Sequence, residues 1–487
     1  MKLFYSFLLL FVFQEALSNT FYIGTGSGAV IKKDMNGLHP GDTLAILSGH
    51  YEKGGSFSNL KYITIINSGG ALYFGQSVYI GNLTHVTICG AGFAGLKYGI
   101  RFQNMKGNAF FLEAPCNHLS ISFCEYRNLD GNALDASHFF TSYNGDTATM
   151  ALYKTTISDQ KLIHSGALFV GSWASTTSFQ NVVDSIAFLK IIVDSTGSDV
   201  CQVLGQSIYR MLASDWRITG PCPNGKHDAG IFQMTGNGTL RNIYRRGGFG
   251  YLWRIWNVGL NGRANSYMYN CIDLSTDAYG TIDTRISAGD TTTGNSVPFC
   301  RGGNMHVLNN TTGNKRNATH YVSVLVVAGQ FYSQNGYSLE VRNNLSFNNI
   351  TDNANPLIKQ NTGDQLTDTS NNIYTKDPIT SGILSDTVDC RLNPSGSAID
   401  QAVPEPFIKT DIEGIPRPAG EASDIGARES PGTGALHSRH TYFPKKYLFI
   451  GAGIVALTAL ILLQKKPVHQ KPGIPRVDGQ DQPSREG

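Results

Sequence analysis

Short runs of alternating apolar and polar residues, separated by Gly and Asn, recur along most of this chain. They begin with YITIINSGG at residues 62–70 and continue through SVYI, HVTICG, GIRFQN, NAFFLEA and HLSISFCEYRN. Alternation with a period of two residues predicts β-strands that bury one face and expose the other. The connections between these runs are too short to hold crossover helices, which excludes a doubly wound α/β sheet.

Comparable runs return at intervals of roughly 20 to 35 residues, the spacing that is typical of stacked repeats. Later examples are found at residues 181–193, 231–244, 267–272, 305–309 and 338–350. In the last of these, Asn343, Asn344, Asn348 and Asn349 lie at turns, where Asn side chains of successive coils can hydrogen-bond in a ladder. We therefore predict an all-β fold, a right-handed parallel β-helix solenoid. A β-sandwich or propeller is the alternative, but no regular blade or sandwich period is visible.

The two ends of the chain predict export and a membrane anchor. Residues 1–18 combine Lys2, an apolar run and the small-residue pattern Ala16, Leu17, Ser18, which predicts a signal peptide cleaved after Ser18. A retained N-terminal anchor is the alternative, but the apolar run is short for a membrane span. Residues 447–463 are apolar and uncharged with lysine pairs on both sides, which favours one C-terminal transmembrane helix over a buried core helix.

These features divide the chain into five parts and place it at a cell membrane. We predict a signal peptide at 1–18, a β-helix ectodomain at 19–430, a linker at 431–446, a single transmembrane helix at 447–463 and a cytoplasmic tail at 464–487. The ectodomain then lies outside the cytoplasm.

The composition agrees with short strands joined by tight turns. The 54 Gly residues, together with many Asn, supply positions that tolerate positive φ. The net charge of +3 does not predict a nucleic acid as a partner.

All eight cysteines fall in the part predicted to be exported, where disulfides can form, but their spacing does not determine a pairing. No CxxC pair or Cys/His cluster predicts zinc, and we expect several buried thiols, with Cys89 in a core position.

The segment at residues 392–429 contains SAID, then DIEG followed by Arg417, then DIGA followed by Arg428. This segment resembles the closing coil of bacterial surface proteins of the pectate-lyase-like, right-handed parallel β-helix superfamily. In those proteins SPAID, D-x-x-G-x-x-R and DIGAYE end the helix, so Arg428 replaces the usual aromatic residue. The opening residues 19–50 also resemble the N-terminal cap of that family, with a turn at Pro40, Gly41 and Asp42 before a strand at 43–47. The resemblance implies the β-helix fold over about residues 20–430 and implies no particular chemistry.

Residues 215–263 hold the densest group of polar and aromatic candidates. The candidate catalytic residues are His227, Asp228, Asp215 and Arg245. The candidate substrate-binding residues are Arg246, Trp253, Trp256 and Arg254. His227 is the best base near neutral pH, and tryptophan rings can stack on sugars. The alternative interpretation makes the charged residues turn residues and the tryptophans core residues.

Two reaction types fit these candidates. A polysaccharide lyase needs a base and a cation that neutralises a uronate carboxylate, whereas a glycoside hydrolase needs two carboxylates, here Asp215 and Asp228.

A second group contains Asp273, Asp283 and Arg285, in which Asp283 is either a calcium ligand or a turn residue. Apart from calcium, no cofactor or metal is predicted. The full motif set of the superfamily's polygalacturonases is not present.

The sequence thus predicts an exported, membrane-anchored β-helix that recognises a polysaccharide or a cell-surface glycan. Whether it also cleaves that polymer as a lyase or glycosidase stays open at this point. The alternative is a non-catalytic surface solenoid for glycan binding or adhesion.

Overall fold

The computed structural model describes residues 18–30, 37–135, 152–171, 183–197, 199–203, 210–220, 229–233, 237–247, 251–255, 265–274, 282–283, 304–313, 326–328, 339–347, 358–360 and 369–430. Within these ranges the regular secondary structure consists of β-strands, without helices. No helix in the described part of the chain is long and apolar enough to cross a membrane. The predicted membrane span lies outside the described residues, as does the predicted signal peptide apart from Ser18.

Thirty strands are present in the described ranges. They are β1 (Thr20–Ile23), β2 (Thr43–Tyr51), β3 (Gly55–Ser58), β4 (Thr64–Phe74), β5 (Val78–Gly81), β6 (Leu83–Cys89), β7 (Ile100–Met105), β8 (Phe110–Leu112), β9 (Cys116–Leu129), β10 (Leu134–Asp135), β11 (Leu152–Ser165), β12 (Phe169–Val170), β13 (Val183–Thr196), β14 (Cys201–Val203), β15 (Met211–Ile218), β16 (Ala229–Gln233), β17 (Gly238–Arg246), β18 (Tyr251–Ile255), β19 (Asn265–Tyr269), β20 (Ile272–Leu274), β21 (Ile282–Asp283), β22 (Asn304–Leu308), β23 (Thr311–Gly313), β24 (Val326–Ala328), β25 (Leu339–Arg342), β26 (Leu345–Phe347), β27 (Ile358–Gln360), β28 (Ile373–Thr375), β29 (Leu384–Asp386) and β30 (Arg391–Leu392).

These strands form two long parallel sheets and one short hairpin. The first sheet contains 17 strands, and the second contains 11 strands in the order β3, β5, β8, β10, β12, β14, β16, β18, β21, β24 and β27. Strands of successive coils pair in parallel, as β11 does with β13 and β13 with β15. The hairpin of β29 and β30 is antiparallel. Coils add one strand, or two short successive strands, to the first sheet and a strand to the second. This stacking is the parallel β-helix architecture, which confirms the parallel β-helix predicted from the sequence.

The register of the first sheet places equivalent residues of successive coils in columns. One column, here called the bend column, lies where the strands change direction, and its residues have φ between 51° and 64°. It consists of Phe123, Asp159, Lys190, Asp215, Asn242, Asn270, Asn309, Asn343 and Asn371. Asn and Asp tolerate this left-handed conformation better than most residues, which explains why Asn fills the last five places.

The predicted Asn ladder is present where Asn343 and Asn344 separate β25 from β26. The Asn343 side-chain amide donates to Asn309 Oδ1 at 3.4 Å. In the next column inward, Asn310 Nδ2 donates to Asn344 Oδ1 at 3.1 Å, and Asn344 Nδ2 donates to Asn372 Oδ1 at 2.9 Å. Asn310 and Asn344 are fully buried, so each needs such partners. Asn348 and Asn349 lie outside the described residues.

The interior between the sheets is filled by apolar columns. Tyr51, Phe74, Phe102 and Tyr126 are in register and stack with ring centroids 5.6, 5.1 and 5.7 Å apart. All four rings are buried. Stacked aromatic rings of this kind add roughly 0.5–1.5 kcal/mol per pair beyond the burial of their area.

Buried thiols contribute to the same interior. The described cysteines are free thiols, and those that are buried are Cys116, Cys124, Cys201, Cys271 and Cys390. The prediction for Cys89 was wrong. In β6 the buried residues are Leu83, Val86 and Ile88, so Cys89, which follows Ile88, falls on the other face and is only half-buried. A shift of one residue along a strand reverses the face that a side chain occupies.

The N-terminal turn predicted at residues 40–42 is confirmed by the start of β2 at Thr43. The buried Asp42 carboxylate accepts from the backbone N–H of His39 at 2.7 Å and of Asn19 at 2.8 Å. These backbone donors, His39 first, lower the pKa of Asp42. The turn therefore ties the first described residues to the first full strand.

Residues 377–430, here called the closing segment, pack against the outer side of the last coils. Ile383, Leu384 and Ile425 join Leu345 and Phe347 in a second apolar cluster, separate from the main core. Asp411 accepts from the backbone N–H groups of Glu413, Ile415 and Glu429. The motif residues of the closing coil therefore hold backbone turns together.

Candidate functional site

A concave surface lies on the outer face of β11, β13, β15 and β17, and both polar and apolar side chains line it. The concavity has a volume of about 460 Å³. We call it the cationic groove, and the residues that characterise it are Lys154, Thr156, Ser185, Arg210, Thr239 and Arg241. Its floor contains the backbone of successive coils, as shown by the hydrogen bonds from Ile186 N to Arg210 O and from Met211 N to Asn237 O.

The groove carries three cations, and the nearest acids lie beside it: Asp184 accepts from Ser185 Oγ at 2.9 Å, and Asp215 accepts from Ser214. No Asp or Glu occurs among its described lining residues. Within the described part of the chain, Lys154, Arg210 and Arg241 make no ion pair. Lys154 Nζ lies 4.9 Å from the centre of the Tyr153 ring, and Arg241 Nε donates to Ser214 Oγ at 3.0 Å. Such cations are available to an anionic ligand.

A hydrogen-bonded chain leads from this groove to Asp215 in the bend column. Ser214 Oγ, which accepts from Arg241, donates to Asp215 Oδ2 at 2.9 Å. The other carboxylate oxygen of Asp215 accepts from Asn242 Nδ2 at 3.0 Å. Asp215 is exposed and has φ of 64°, so it serves the bend and also presents its carboxylate to solvent.

Asp215 borders a second concavity, here called the charged cavity, with a volume of about 440 Å³. The coils contribute Asp215, Arg217, Asn242 and Tyr244, and the closing segment contributes Asp389, Arg391, Glu413 and Arg428. The Arg217 guanidinium lies 5.1 Å from the centre of the Tyr244 ring. Tyr244 in turn donates from its hydroxyl to Val388 O at 3.0 Å, and burial raises the pKa of this phenol. Tyr244 therefore joins the coils to the closing segment.

Arginine and carboxylate side chains alternate on the side of the charged cavity formed by the closing segment. Arg428 Nη1 contacts Glu413 Oε1 at 2.5 Å, and Arg428 Nε donates to the carbonyl of Asp389. Arg391 Nη2 lies 3.8 Å from Asp389 Oδ2 and 3.9 Å from Glu413 Oε1. Arg428, the residue that departs from the family's closing motif, thus becomes a buried part of the cavity wall.

The candidate residues chosen from the sequence occupy different environments. Arg245 is buried and forms a two-bonded ion pair with Asp273, at 2.7 and 2.8 Å, whereas Asp215 lies on the outer face. The structure therefore does not bring Arg245 and Asp215 together. Trp253 is fully buried in the main core, and Arg246 is exposed at the end of β17.

Several other candidates fall where their side chains are not described. His227, Asp228, Trp256 and Arg285 lie outside the described residues. Arg254 and Asp283 belong to β18 and β21, which pair with each other, but nothing is described of their side chains. Among the described residues, no cluster of three or more His, Cys, Asp or Glu is arranged to hold a metal ion.

The groove cations were missed in the sequence. Lys154, Arg210 and Arg241 come from three coils, and only the register of the strands makes them neighbours. No local signal in the sequence distinguishes them, because Lys154 lies inside β11 and Arg210 becomes its equivalent two coils later only through the strand pairing.

Comparison with known proteins gives structural similarities of low sequence identity. No family model matches the chain, and no curated protein matches it. Among solved structures, the chain is similar to the crystal structure of pectate lyase Pel9A, with 13% identity, a TM-score of 0.41 and coverage of 85% of this chain and 96% of that chain. It is also similar to the tailspike protein gp49 from Pseudomonas phage LKA1, with 12% identity, a TM-score of 0.24 and coverage of 65% of this chain and 53% of that chain. The parallel β-helix assignment rests on the strand pairing of the chain itself.

Proposed function

We propose that the outer face of β11, β13, β15 and β17 recognises an anionic polysaccharide. The observation that carries this proposal is the cationic groove, where Lys154, Arg210 and Arg241 converge from three coils without a lining carboxylate. Guanidinium groups bind carboxylates through two parallel hydrogen bonds, which suits uronate sugars.

The architecture favours an extended polymer as the ligand. Neighbouring strands lie roughly 4.8 Å apart, so equivalent side chains repeat along the axis of the solenoid. Hydroxyl groups of Thr156, Ser185 and Thr239 accompany the cations in the groove. Together these hydroxyls and cations can bind the hydroxyls and carboxylates of an acidic glycan. A neutral glycan would leave the cations without anionic partners.

Cleavage of that polymer is a second candidate function, which the position of Asp215 favours. Its carboxylate lies at the border between the cationic groove and the charged cavity and is held by Ser214 and Asn242. A carboxyl group placed there can act as general acid or base on a bound glycan. Hydrolysis adds one water across the glycosidic bond, whereas a lyase produces an unsaturated uronate without water.

We also propose, from the sequence alone, that the chain is exported and held at a membrane by residues 447–463. Cleavage after Ser18 would make Asn19 the new N-terminal residue. N-terminal sequencing of the mature protein tests the first step, and its recovery in carbonate-washed membranes tests the second. An intact Met1 with the protein in the soluble fraction would contradict both.

The binding proposal is tested with the full chain, polygalacturonate, alginate and neutral dextran. We expect both acidic polymers to bind and dextran not to bind. Arg210→Gln and Arg241→Gln should each weaken binding about tenfold, which corresponds to about 1.4 kcal/mol, and raised salt should weaken it further. Lys106→Gln, a change at an exposed cation on another part of the surface, is the matched control.

Three outcomes of this experiment would contradict the proposal. They are equal binding of dextran, unchanged binding by both groove variants, and preferential binding of an oligonucleotide added as competitor. Unsaturated-product absorbance and reducing ends, followed in the same samples, distinguish a lyase from a hydrolase and both from a binding protein.

A further inference from the structure

We propose that the charged cavity binds one acidic sugar unit, a branch or a chain end of the polymer held in the cationic groove. This inference rests on the proposed function, since it assigns the second subsite of the same glycan.

The closing segment docks on the last Asn residues of the bend column. Asn343 Nδ2 donates to Val403 O at 2.9 Å, and Asn343 Oδ1 accepts from Val403 N at 2.9 Å. Asn309 Nδ2 donates to the carbonyl of Asp424, and Asn270 Nδ2 donates to that of Thr410. The two preceding column residues, Asp215 and Asn242, instead face the charged cavity. The charged cavity therefore lies beside the part of the bend column to which the closing segment makes no such backbone bonds.

Arg217 is an exposed cation of this cavity that has no carboxylate partner among the described residues. It is exposed, stacks on Tyr244 and makes no ion pair among the described residues. The other two arginines differ, since Arg428 contacts Glu413 and Arg391 lies near both Glu413 and Asp389. A ligand carboxylate would consequently be directed to Arg217.

The remaining polar groups of the cavity select against a simple anion. Asp215, Asp389 and Glu413 all line it, and these carboxylates repel any anion but accept hydrogen bonds from hydroxyl groups, which acetate lacks. A uronic acid carries a carboxylate for Arg217 and several hydroxyls for the acidic side chains. It therefore satisfies both signs of charge, which a neutral sugar or an inorganic anion cannot do.

The position of the cavity relates this sugar to the polymer in the groove. Arg241 lines the groove, Asp215 lines the cavity, and Ser214 hydrogen-bonds to both. A polysaccharide lying along the groove would thus place a side branch or its terminal unit next to Asp215. Recognition would extend from the backbone of the polymer to a single acidic unit.

The experiment uses the full chain and glucuronic acid as a monosaccharide probe, observed by saturation-transfer NMR and titration calorimetry. We expect glucuronate to bind and glucose, acetate and phosphate not to bind. Arg217→Gln, a change at an exposed side chain, should weaken glucuronate binding at least about tenfold. Arg241→Gln should weaken polymer binding, and Lys106→Gln should change neither glucuronate nor polymer binding.

The outcomes separate this inference from the proposed function. Polymer binding without detectable glucuronate binding, or glucuronate binding that Arg217→Gln does not weaken, overturns the cavity assignment and leaves the groove proposal intact. Arg217-dependent glucuronate binding in a chain that binds no acidic polymer supports the cavity and overturns the groove proposal. Equal binding of acetate and glucuronate would show a simple anion site and would also overturn the inference.

Discussion

The guanidinium of Arg417 donates to Glu429 Oε1 at 2.6 Å, and both side chains are buried in the closing segment. Arg417 also donates to the carbonyls of Asp424 and Gly426, while Glu429 accepts from the backbone N–H of Asp424 and Ala419. The arginine of the closing motif and the glutamate that follows it therefore act as one unit. This unit ties together backbone segments that form neither a helix nor a long strand.

Removal of one partner should destabilise the protein strongly. We expect Glu429→Gln to lower the free energy of unfolding by about 3–5 kcal/mol, because it removes the carboxylate bonded to the buried Arg417 and leaves only the more distant influence of Asp411 and Asp424 on that charge. Arg391→Gln is the control, since Arg391 is 58% exposed and lies at least 3.8 Å from its acidic neighbours; it should change the value by about 1 kcal/mol or less. Denaturant titration measures both, and equal small changes would show that the buried pair does not stabilise the segment.

A second prediction concerns the two hydrogen bonds between Asn343 and the backbone of Val403. Asn343→Gly keeps the left-handed conformation available but removes both bonds to Val403 and the ladder bond to Asn309, so we expect a loss of roughly 1–3 kcal/mol. The matched control is Asn82→Gly, because Asn82 has φ of 52° and is exposed, with one side-chain bond to Asn59. Its effect should stay within about 0.5 kcal/mol. If both variants lose the same stability, the closing segment does not depend on this contact.

The fold was predictable from the sequence because its determinants are local. Alternation in runs such as HVTICG defines strand faces, and Asn343 occupies a turn where left-handed backbone favours Asn. The closing motif was recognisable because Asp411, Arg417 and Asp424 bond to nearby backbone, over separations of a few residues up to a few tens of residues. The error at Cys89 came from a shift of one position, which alternation alone could not resolve.

The candidate site was less predictable because it depends on register between distant coils. Arg210 and Arg241 are neighbours only through the pairing of β15 with β17. Composition cannot distinguish a tryptophan on the surface from Trp253, which the structure buries in the main core. Asp215 was found because it is a charged residue in a polar segment, but its bend position became visible only in the structure.

The third prediction concerns the reactivity of the cysteines. Burial raises the pKa of Cys116 and of Cys271 to about 12, and also raises that of Cys124, so these thiols hold almost no thiolate near neutral pH. Cys89 is half-buried. Alkylation of the native protein by iodoacetamide should therefore label Cys89 before the three buried thiols, as measured by peptide mass spectrometry. All four should react in denaturant, and equal labelling in the native protein would contradict the burial argument.

The fourth prediction concerns stability at mildly acidic pH. His118 stacks on His85 with ring centroids 4.1 Å apart, and desolvation together with His85 and Lys154 lowers the pKa of His118. The unfolded chain then binds more protons than the folded chain below about pH 6.5, so stability falls as the pH decreases. We expect His118→Asn, which suits the φ of 53°, to reduce the loss of stability between about pH 7.5 and about pH 5. Denaturant titrations at the two pH values measure this, and an unchanged loss in the variant would show that His118 does not contribute.

The fifth prediction separates the structural role of Asp215 from a chemical one. The next five residues of the bend column are Asn, so Asp215→Asn should preserve both the bend and the bond from Asn242, with a stability change within about 0.5 kcal/mol. If the chain cleaves an acidic polymer with this carboxylate as acid or base, turnover should fall at least about 100-fold, while polymer binding in the groove remains. Reducing-end and absorbance assays measure turnover, and calorimetry measures binding on the same preparations. Full turnover in a stable variant would show that Asp215 has only a structural role in the bend. An amide can replace a carboxylate as a hydrogen-bond acceptor but cannot transfer a proton in its place.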